Sequence, residues 1–122
     1  MLYLLDENIA KCCADPTSVY TAQRSIEVPG LGPEASDFDI FHFVRLGGFV
    51  LVTKDGDDFE AIMFDQRDII PMVVFPGDTR ASQQRDLLLR ATPVIAAELA
   101  ASPGRQFSFN ADFNLLSYEL AL

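Results

Sequence analysis

The chain has 122 residues, of which 49% are hydrophobic, and this content is enough for the core of one domain. Eighteen acidic residues against nine Lys and Arg give a net charge of −9, which repels nucleic acids and anionic membranes unless cations intervene. No apolar run approaches the ~18 residues of a membrane span, and Asp6 ends the first apolar run far short of a signal peptide. We therefore expect a cytoplasmic protein with no membrane partner.

The first part of the chain predicts two strands separated by a short helix. Residues 2 to 6 form an apolar run that ends in a polar cluster, as in a short buried strand. A short helix is expected over Ile9 to Cys13, and Asp15 to Ser18 breaks it. A second strand is expected over Arg24 to Val28, ahead of the turn-forming Pro and Gly residues at positions 29 to 33.

The middle of the chain predicts a capped helix followed by a buried strand. Ser36 with Asp39 three residues later resembles a capping box, so a helix is expected over Asp37 to Leu46. Gly47-Gly48 ends that helix. The β-branched run from Phe49 to Thr53 is typical of a buried parallel strand.

A further helix and strand are predicted next. Asp57 with Glu60 gives a second capping signal, which predicts a short helix over Asp58 to Phe64. A strand is expected over Ile69 to Phe75. Thr79 is placed to cap a long helix that Pro93 kinks or divides, with an apolar stripe formed by Leu88, Ala91, Ile95 and Leu99.

The C-terminal residues predict an edge strand and an apolar tail. Residues Arg105 to Phe109 alternate polar and apolar side chains, as a half-exposed edge strand does. The tail from Asn110 to Leu122 is too apolar for a solvated end, so we expect it to pack on the body of the protein or on a partner. The alternation of strands and helices predicts one α/β domain over residues 1 to 122, with three layers and a mostly parallel central sheet flanked by helices.

Acidic residues follow the predicted strands. Asp6 comes directly after the first strand and Asp55 closely follows the central one, so both are expected at the same edge of the sheet. Asp37 lies on the side of its helix that carries Ile40, Phe41 and Val44, and its carboxylate is expected to point inward.

Three carboxylates brought together raise at least one pKa unless a cation neutralises them. Oxygen ligands without thiolate or imidazole suit Mg²⁺ or Mn²⁺. Such a metal orients a phosphodiester and activates water, which is the requirement for hydrolysis of RNA or DNA.

Several neighbours of these acids have two interpretations. The Thr53 hydroxyl and the Lys54 ammonium are placed to orient a ligand or meet a phosphate, or to serve ordinary strand-end roles. Asp37 and Asp57 also suit simple helix capping or interaction with the helix dipole. His42 lies off the buried stripe of its helix and has no nucleophile partner in sequence, so we expect no catalytic role for it.

Three short motifs resemble a known family. They are Leu4-Leu5-Asp6-Glu7-Asn8, then Ala35-Ser36-Asp37 with Ile40, and then Leu51-Val52-Thr53-Lys54-Asp55 ahead of Asp58-Phe59. In this order they are similar to motifs of the small PIN-like family called DUF5615, found in toxin-antitoxin loci. The similarity extends to about Phe75.

The resemblance implies a PIN-type fold, a Mg²⁺- or Mn²⁺-dependent ribonuclease activity on RNA, and a role as the toxin of a type II pair with a small antitoxin protein. A homodimer is also expected. By position, Asp6, Asp37 and Asp55 become the catalytic and metal-binding acids. Glu7 and Asn8 either point into the site or cap the next helix. The acidic segment after Asp55 is one residue longer than in the family, so Asp58 or Asp57 is the further metal ligand.

Two other functions are compatible with the sequence. One is a PIN-like module that binds protein without catalysis. The other is a receiver-type phosphoacceptor domain, to which Asp6-Glu7 and Asp55 give a superficial match. Against the receiver, no Lys follows Lys54 and no Ser or Thr stands between Val73 and Pro76.

Overall fold

The computed structural model describes residues 1 to 122 and contains six strands and three α-helices. The strands are β1 (Leu2–Leu5), β2 (Thr21–Arg24), β3 (Val50–Thr53), β4 (Met72–Val74), β5 (Gln106–Phe109) and β6 (Leu115–Tyr118). The helices are α1 (Asp37–Gly47), α2 (Gly56–Gln66) and α3 (Ala81–Ala101), and two 3-10 turns cover Lys11–Ala14 and Ser25–Glu27. None of these helices combines the length and the apolar composition that a membrane span requires.

All six strands form one sheet in the order β2-β1-β3-β4-β5-β6. The first five strands are parallel, and β6 runs antiparallel to β5. This confirms the predicted α/β class with a mostly parallel sheet. The chain moves outward from β1 to β2 and then returns to place β3 on the other side of β1. The gap between β1 and β3 is therefore a topological switch point, where open parallel sheets place their ligands.

Alternate side chains of the strands form two apolar cores, one on each face of the sheet. On one face, Leu5, Val52 and Phe107 pack with Leu88 and Ile95 of α3. On the other face the strands supply Leu4, Leu51 and Met72, and helices α1 and α2 supply Ile40, Phe41, Val44, Phe59 and Met63. The three predicted layers are thus α1 with α2, the sheet, and α3.

The capping box that predicted α1 is present. The Ser36 hydroxyl accepts the Asp39 N–H at 3.1 Å, and the Asp39 carboxylate accepts the Ser36 N–H at 3.2 Å. Gly48 ends the helix in the left-handed region at φ 70°, where glycine avoids the steric cost of a Cβ. These two ends place Asp37 in the first helical turn, as predicted.

The second strand was wrongly placed in the sequence analysis. It covers Thr21–Arg24 and not Arg24 to Val28, because Thr21–Arg24 pairs with β1 at the edge of the sheet and is half solvated. Residues Ser25–Glu27 form a 3-10 turn instead. The helix expected over Ile9 to Cys13 is also only a 3-10 turn, Lys11–Ala14.

The boundaries around α2 and β4 also differ from those predicted. Helix α2 begins at Gly56 rather than Asp58, and Asp55 occupies the N-cap position without making a side-chain cap. Asp57 therefore lies inside the helix and does not cap it. Strand β4 is shorter than the predicted segment from Ile69 to Phe75, since only Met72–Val74 pairs in register with both neighbours.

Helix α3 is continuous through Pro93, so the predicted division does not occur. Pro93 lies on the exposed side of the helix. Next to it, the Thr92 hydroxyl bonds to the Leu88 carbonyl at 2.6 Å and to the Tyr3 hydroxyl at 2.7 Å, which ties the helix to β1. Thr79 is not the N-cap, because its hydroxyl donates to the Pro76 carbonyl at 2.7 Å, and Arg80 holds the N-cap position.

Strand β5 is not an edge strand, contrary to the prediction. The tail supplies β6, which pairs with β5 and becomes the edge. The Tyr118 hydroxyl donates to the Glu60 carboxylate of α2 at 2.9 Å. The tail therefore packs on the body of the protein, which is one of the two possibilities that its composition indicated.

Candidate functional site

Asp6 is a buried carboxylate at the carboxyl end of β1, with only 5% of its surface exposed. Its N–H donates to the Val52 carbonyl at 2.9 Å, which continues the ladder with β3 for one residue. Its carboxylate accepts the Thr53 hydroxyl at 2.7 Å and the Glu7 N–H at 2.9 Å. Burial raises the pKa of Asp6, and the nearby charges of Asp55 and Glu7 raise it further, while the two hydrogen bonds oppose them.

A network of polar groups joins the end of β1 to the end of β3. The Thr53 hydroxyl, besides donating to Asp6, accepts the Asp55 N–H at 3.0 Å. The Asn8 amide donates to the Asp55 carboxylate at 2.8 Å, and its oxygen accepts the Lys54 N–H at 3.2 Å. Asn8 therefore points toward the loop after β3 and caps no helix, which decides between its two predicted orientations.

Asp37 reaches the same place from α1. Ile40, Phe41 and Val44 of its helix are buried, as predicted, and Asp37 itself is half-buried. Burial raises the pKa of Asp37, and so do the negative charges of several acids, in decreasing order Asp6, Asp58, Asp55 and Glu7. The N-terminus of a helix favours an anion and by itself would lower the pKa of Asp37. Because the pKa is raised, burial and the neighbouring carboxylates outweigh this effect of the helix.

Asp58 and Asp57, at the start of α2, line the same cavity as Asp55, but their charges act on different groups. The charge of Asp58 acts on Asp37, whereas that of Asp57 acts on Tyr118 at the edge of the sheet. Burial and the hydrogen bond to Glu60 raise the pKa of Tyr118 to about 12, with Asp57 adding a smaller effect. Of the two alternatives, Asp58 is thus the one whose charge acts on Asp37. We call the set Asp6, Glu7, Asp37, Asp55 and Asp58 the acidic cluster.

The acidic cluster has no cationic partner within the chain. All five ion pairs of the protein involve other carboxylates. The nearest lysine in sequence, Lys54, donates from its ammonium group to the Gly77 carbonyl at 3.2 Å. Lys54 lines a cavity of about 450 Å³ together with Asp55, Asp57 and Asp58. The cluster is therefore an uncompensated negative site with one lysine at its border.

The donor atoms of the cluster suit a hard cation in kind, because all of them are oxygen. They are not assembled around a single point, since no three His, Cys, Asp or Glu side chains stand close enough to hold a metal ion. Asp6 and Asp55 are held by hydrogen bonds, whereas the carboxylates of Asp37 and Asp58 accept none. Metal binding would therefore require these two side chains to turn toward Asp6 and Asp55.

Two other polar residues lie outside the cluster. His42 packs edge-on against Phe38 and Phe41, with ring centroids 4.4 and 5.5 Å away, so it has an aromatic packing role. Asp78, which follows β4, lines a separate cavity with Arg80 and Gln83. The sequence analysis did not anticipate that cavity, because its walls combine the end of β4 and the loop after it with Gln83 of α3 and with the β5–β6 turn, which are distant along the chain.

Comparison with known proteins finds no relative from which a role could be transferred. No family model, no curated protein and no solved structure matches the chain. The likeness to the PIN-like family consequently depends on the three sequence motifs alone. The fold gathers one acid from each of them, Asp6, Asp37 and Asp55, at the switch point of the sheet.

Proposed function

We propose that the protein is a metal-dependent endoribonuclease of the PIN-like DUF5615 type. The observation that carries the proposal is the convergence of carboxylates from β1, α1 and the β3–α2 junction with no cationic side chain paired to them. Ionised acids at this density raise the free energy of the folded protein, and a bound divalent cation offsets that cost. Clusters of acids that destabilise the folded protein in this way are typical of functional sites.

The proposed ligands are Asp6, Asp37, Asp55 and Asp58, which would hold Mg²⁺ or Mn²⁺. When bound, such an ion supplies a water of lowered pKa and neutralises charge that develops on a phosphodiester. Thr53 holds the Asp6 carboxylate and Asn8 holds the Asp55 carboxylate, so these two residues keep the fixed half of the site in place. Lys54, at the border of the cluster, is placed to contact a phosphate of RNA.

We further propose that the protein acts in the cytoplasm as the toxin of a type II pair. A small antitoxin protein would be its partner, and a homodimer its assembly. This part of the proposal has its support in the resemblance of the three motifs. A toxin role predicts that expression of the wild-type chain arrests growth and that expression of Asp6→Asn does not.

Cleavage of RNA tests the proposed activity directly. A mixed-sequence single-stranded RNA is incubated with the wild type, with Asp6→Asn, and with Asp55→Asn in the presence of Mn²⁺. We expect cleavage by the wild type and a loss of at least about a hundredfold in both variants. Asp65→Asn, which changes an exposed acid far along α2, is the matched control and should cleave normally. Equal Mn²⁺-dependent cleavage by all four proteins would contradict the proposal.

A protein-binding module without catalysis is the second candidate. The observation in its favour is that the carboxylates are not assembled for a metal ion as they stand. Exposed Leu116 and Leu122 on the C-terminal tail give such a module an apolar contact surface. A wild type that binds no Mn²⁺ and cleaves no RNA, yet binds a basic protein partner, would establish this candidate in place of the first.

A further inference from the structure

A second cavity lies beside the acidic cluster at the same edge of the sheet. It has a volume of about 720 Å³, and its walls include Phe75, Asp78, Arg80, Gln83, Phe109 and Phe113; we call it the aromatic cavity. It shares residues 74 to 76 with the cavity that holds Lys54, Asp55 and Asp58. The two cavities therefore adjoin at these residues, and we call the pair the groove; it extends from the acidic cluster across β4 to β5, a distance of about 10 Å.

Aromatic rings form the apolar wall of the aromatic cavity. Phe75 and Phe109 stack with centroids 5.1 Å apart and planes 10° from parallel. Phe113, between β5 and β6, has a left-handed backbone at φ 61°, which is rare for a residue with a bulky side chain. The Asn110 side chain braces this turn by accepting the Asn114 N–H at 3.0 Å, and the Asn110 carbonyl accepts the Phe113 N–H at 2.9 Å.

Polar groups without protein partners form the opposite wall. The Gln83 oxygen accepts the Arg80 N–H at 3.1 Å, which leaves the NH₂ group of Gln83 free to donate. The Asp78 carboxylate accepts no hydrogen bond and belongs to no ion pair. The Arg80 side chain is exposed and unpaired, whereas four other arginines of this acidic chain are in ion pairs. The wall therefore offers a donor, an acceptor and a cation.

We propose that the aromatic cavity binds a nucleobase of single-stranded RNA next to the nucleotide at the acidic cluster, an inference that rests on the proposed function. A base binds by stacking on an aromatic ring and by hydrogen bonds at its edge; the half-buried Phe113 supplies the ring, over the buried Phe75 and Phe109, and Gln83 and Asp78 supply the polar groups. Arg80 contacts the phosphate attached to that base, which partly offsets the repulsion between RNA and a chain of net charge −9. The groove to Lys54 and the cluster then carries the strand toward the scissile bond.

Mononucleotide binding tests the cavity without requiring catalysis. The ¹⁵N-labelled full chain is titrated with AMP and UMP, without metal, and amide shifts are followed by NMR. We expect shifts at residues 109 to 114 and 80 to 83, and weaker ones with ribose 5-phosphate, which lacks the base. Phe113→Leu and Arg80→Gln should each weaken nucleotide binding about fivefold or more. The matched controls Phe64→Leu and Arg67→Gln alter exposed residues outside the groove and should bind as the wild type does.

The outcomes separate this inference from the proposed function. Hydrolysis of bis(p-nitrophenyl) phosphate needs the acidic cluster but no base, so the control Arg67→Gln should leave it unchanged, whereas Arg80→Gln should raise the KM for RNA. If Asp6→Asn keeps full hydrolysis, the proposed function fails, while the nucleotide shifts still report on the cavity. Absent shifts, shifts at other residues, or shifts equally strong with ribose 5-phosphate would overturn the inference. The Arg80 side chain is exposed, so Arg80→Gln is expected to fold normally, and its result remains valid even if Phe113→Leu folds poorly.

Discussion

The hydroxyl of Thr53 lies 2.7 Å from the carboxylate of Asp6 and donates a hydrogen bond to it, joining the ends of β1 and β3. Thr53 is fully buried and Asp6 nearly so, and no other side chain donates to that carboxylate. The hydrogen bonds that stabilise the ionised form of Asp6 therefore come from one hydroxyl and one backbone N–H. This relationship explains why a Thr stands at the end of an otherwise apolar strand.

Thr53→Val is predicted to destabilise the protein and to raise the pKa of Asp6. Removing the hydroxyl leaves a buried carboxylate with one donor fewer, which costs about 1–3 kcal/mol. Chemical denaturation measures the free energy of unfolding, and ¹³C NMR of the Asp6 carboxyl measures its pKa. Thr53→Ser is the control: it loses about 1 kcal/mol with its methyl group but keeps the pKa of Asp6. An unchanged pKa in Thr53→Val would contradict the assignment.

Asn8→Asp is predicted to destabilise the protein more than Asn8→Ala does. Both lose the bond to Asp55, worth about 1 kcal/mol. Asn8→Ala also loses the acceptor of the Lys54 N–H, but Asn8→Asp places a negative charge directly against the Asp55 carboxylate, and we expect this repulsion to be the larger effect. High salt should reduce the difference between the two variants, because screening weakens repulsion between exposed charges. Asn114→Asp introduces the same charge on an exposed turn and should have little effect. Equal stability of all three variants would show that Asn8 carries no special role.

Asp37→Asn is predicted to stabilise the metal-free protein at pH 7. The pKa of Asp37 is raised above its ordinary value of 3.8, so the folded protein binds a proton more readily than the unfolded chain. Its ionised form therefore costs stability above the raised pKa, and this cost disappears as the pH falls toward 3.8. The advantage of the Asn variant should shrink over the same range, as measured by denaturation between pH 7 and pH 4.

The matched control is Asp39→Asn in the same helical turn. Asp39 is exposed and accepts the Ser36 N–H, so losing its charge should destabilise the protein by about 0.3–1 kcal/mol. The two acids are thus expected to give changes of opposite sign. If Asp37→Asn destabilises the protein as Asp39→Asn does, Asp37 does not face the acidic cluster.

Gly56→Ala is predicted to cost about 1–3 kcal/mol through a steric clash at the start of α2. A Cβ at Gly56 would lie 2.7 Å from the Val74 side chain of β4. The double variant with Val74→Ala should recover part of the loss in a double-mutant cycle. Gly77→Ala is the control, since a Cβ there meets nothing within 4 Å. Additive effects of the two changes would show that Gly56 does not contact β4.

The sequence predicts the fold well where a local signal and the tertiary structure agree. The Ser36–Asp39 capping box places α1 correctly, and the apolar run ending at Thr53 identifies β3. The prediction fails where pairing between strands decides which residues form a strand and which strand lies at the edge. Thr21–Arg24 becomes a strand because β1 offers it a free edge, and β5 loses its expected edge position because the tail pairs with it.

The sequence likewise predicts those parts of the candidate site that follow from local signals. Asp6 and Asp55 follow strands, and parallel strands bring such residues together. Asp58 could not be separated from Asp57 because the acidic segment after Asp55 is one residue longer than the family motif, so the motif aligns with either acid. The link from Asn8 to Asp55 joins residues 47 positions apart, and no local pattern signals it.

The most direct test of the account is a calorimetric titration of Mn²⁺ into the wild type, Asp6→Asn, Asp55→Asn and the control Asp65→Asn. The account predicts one bound ion in the wild type and in Asp65→Asn, and no binding in the other two proteins. A wild type that binds no Mn²⁺, or an Asp6→Asn variant that binds it as the wild type does, would contradict the claim that the acidic cluster is a metal site.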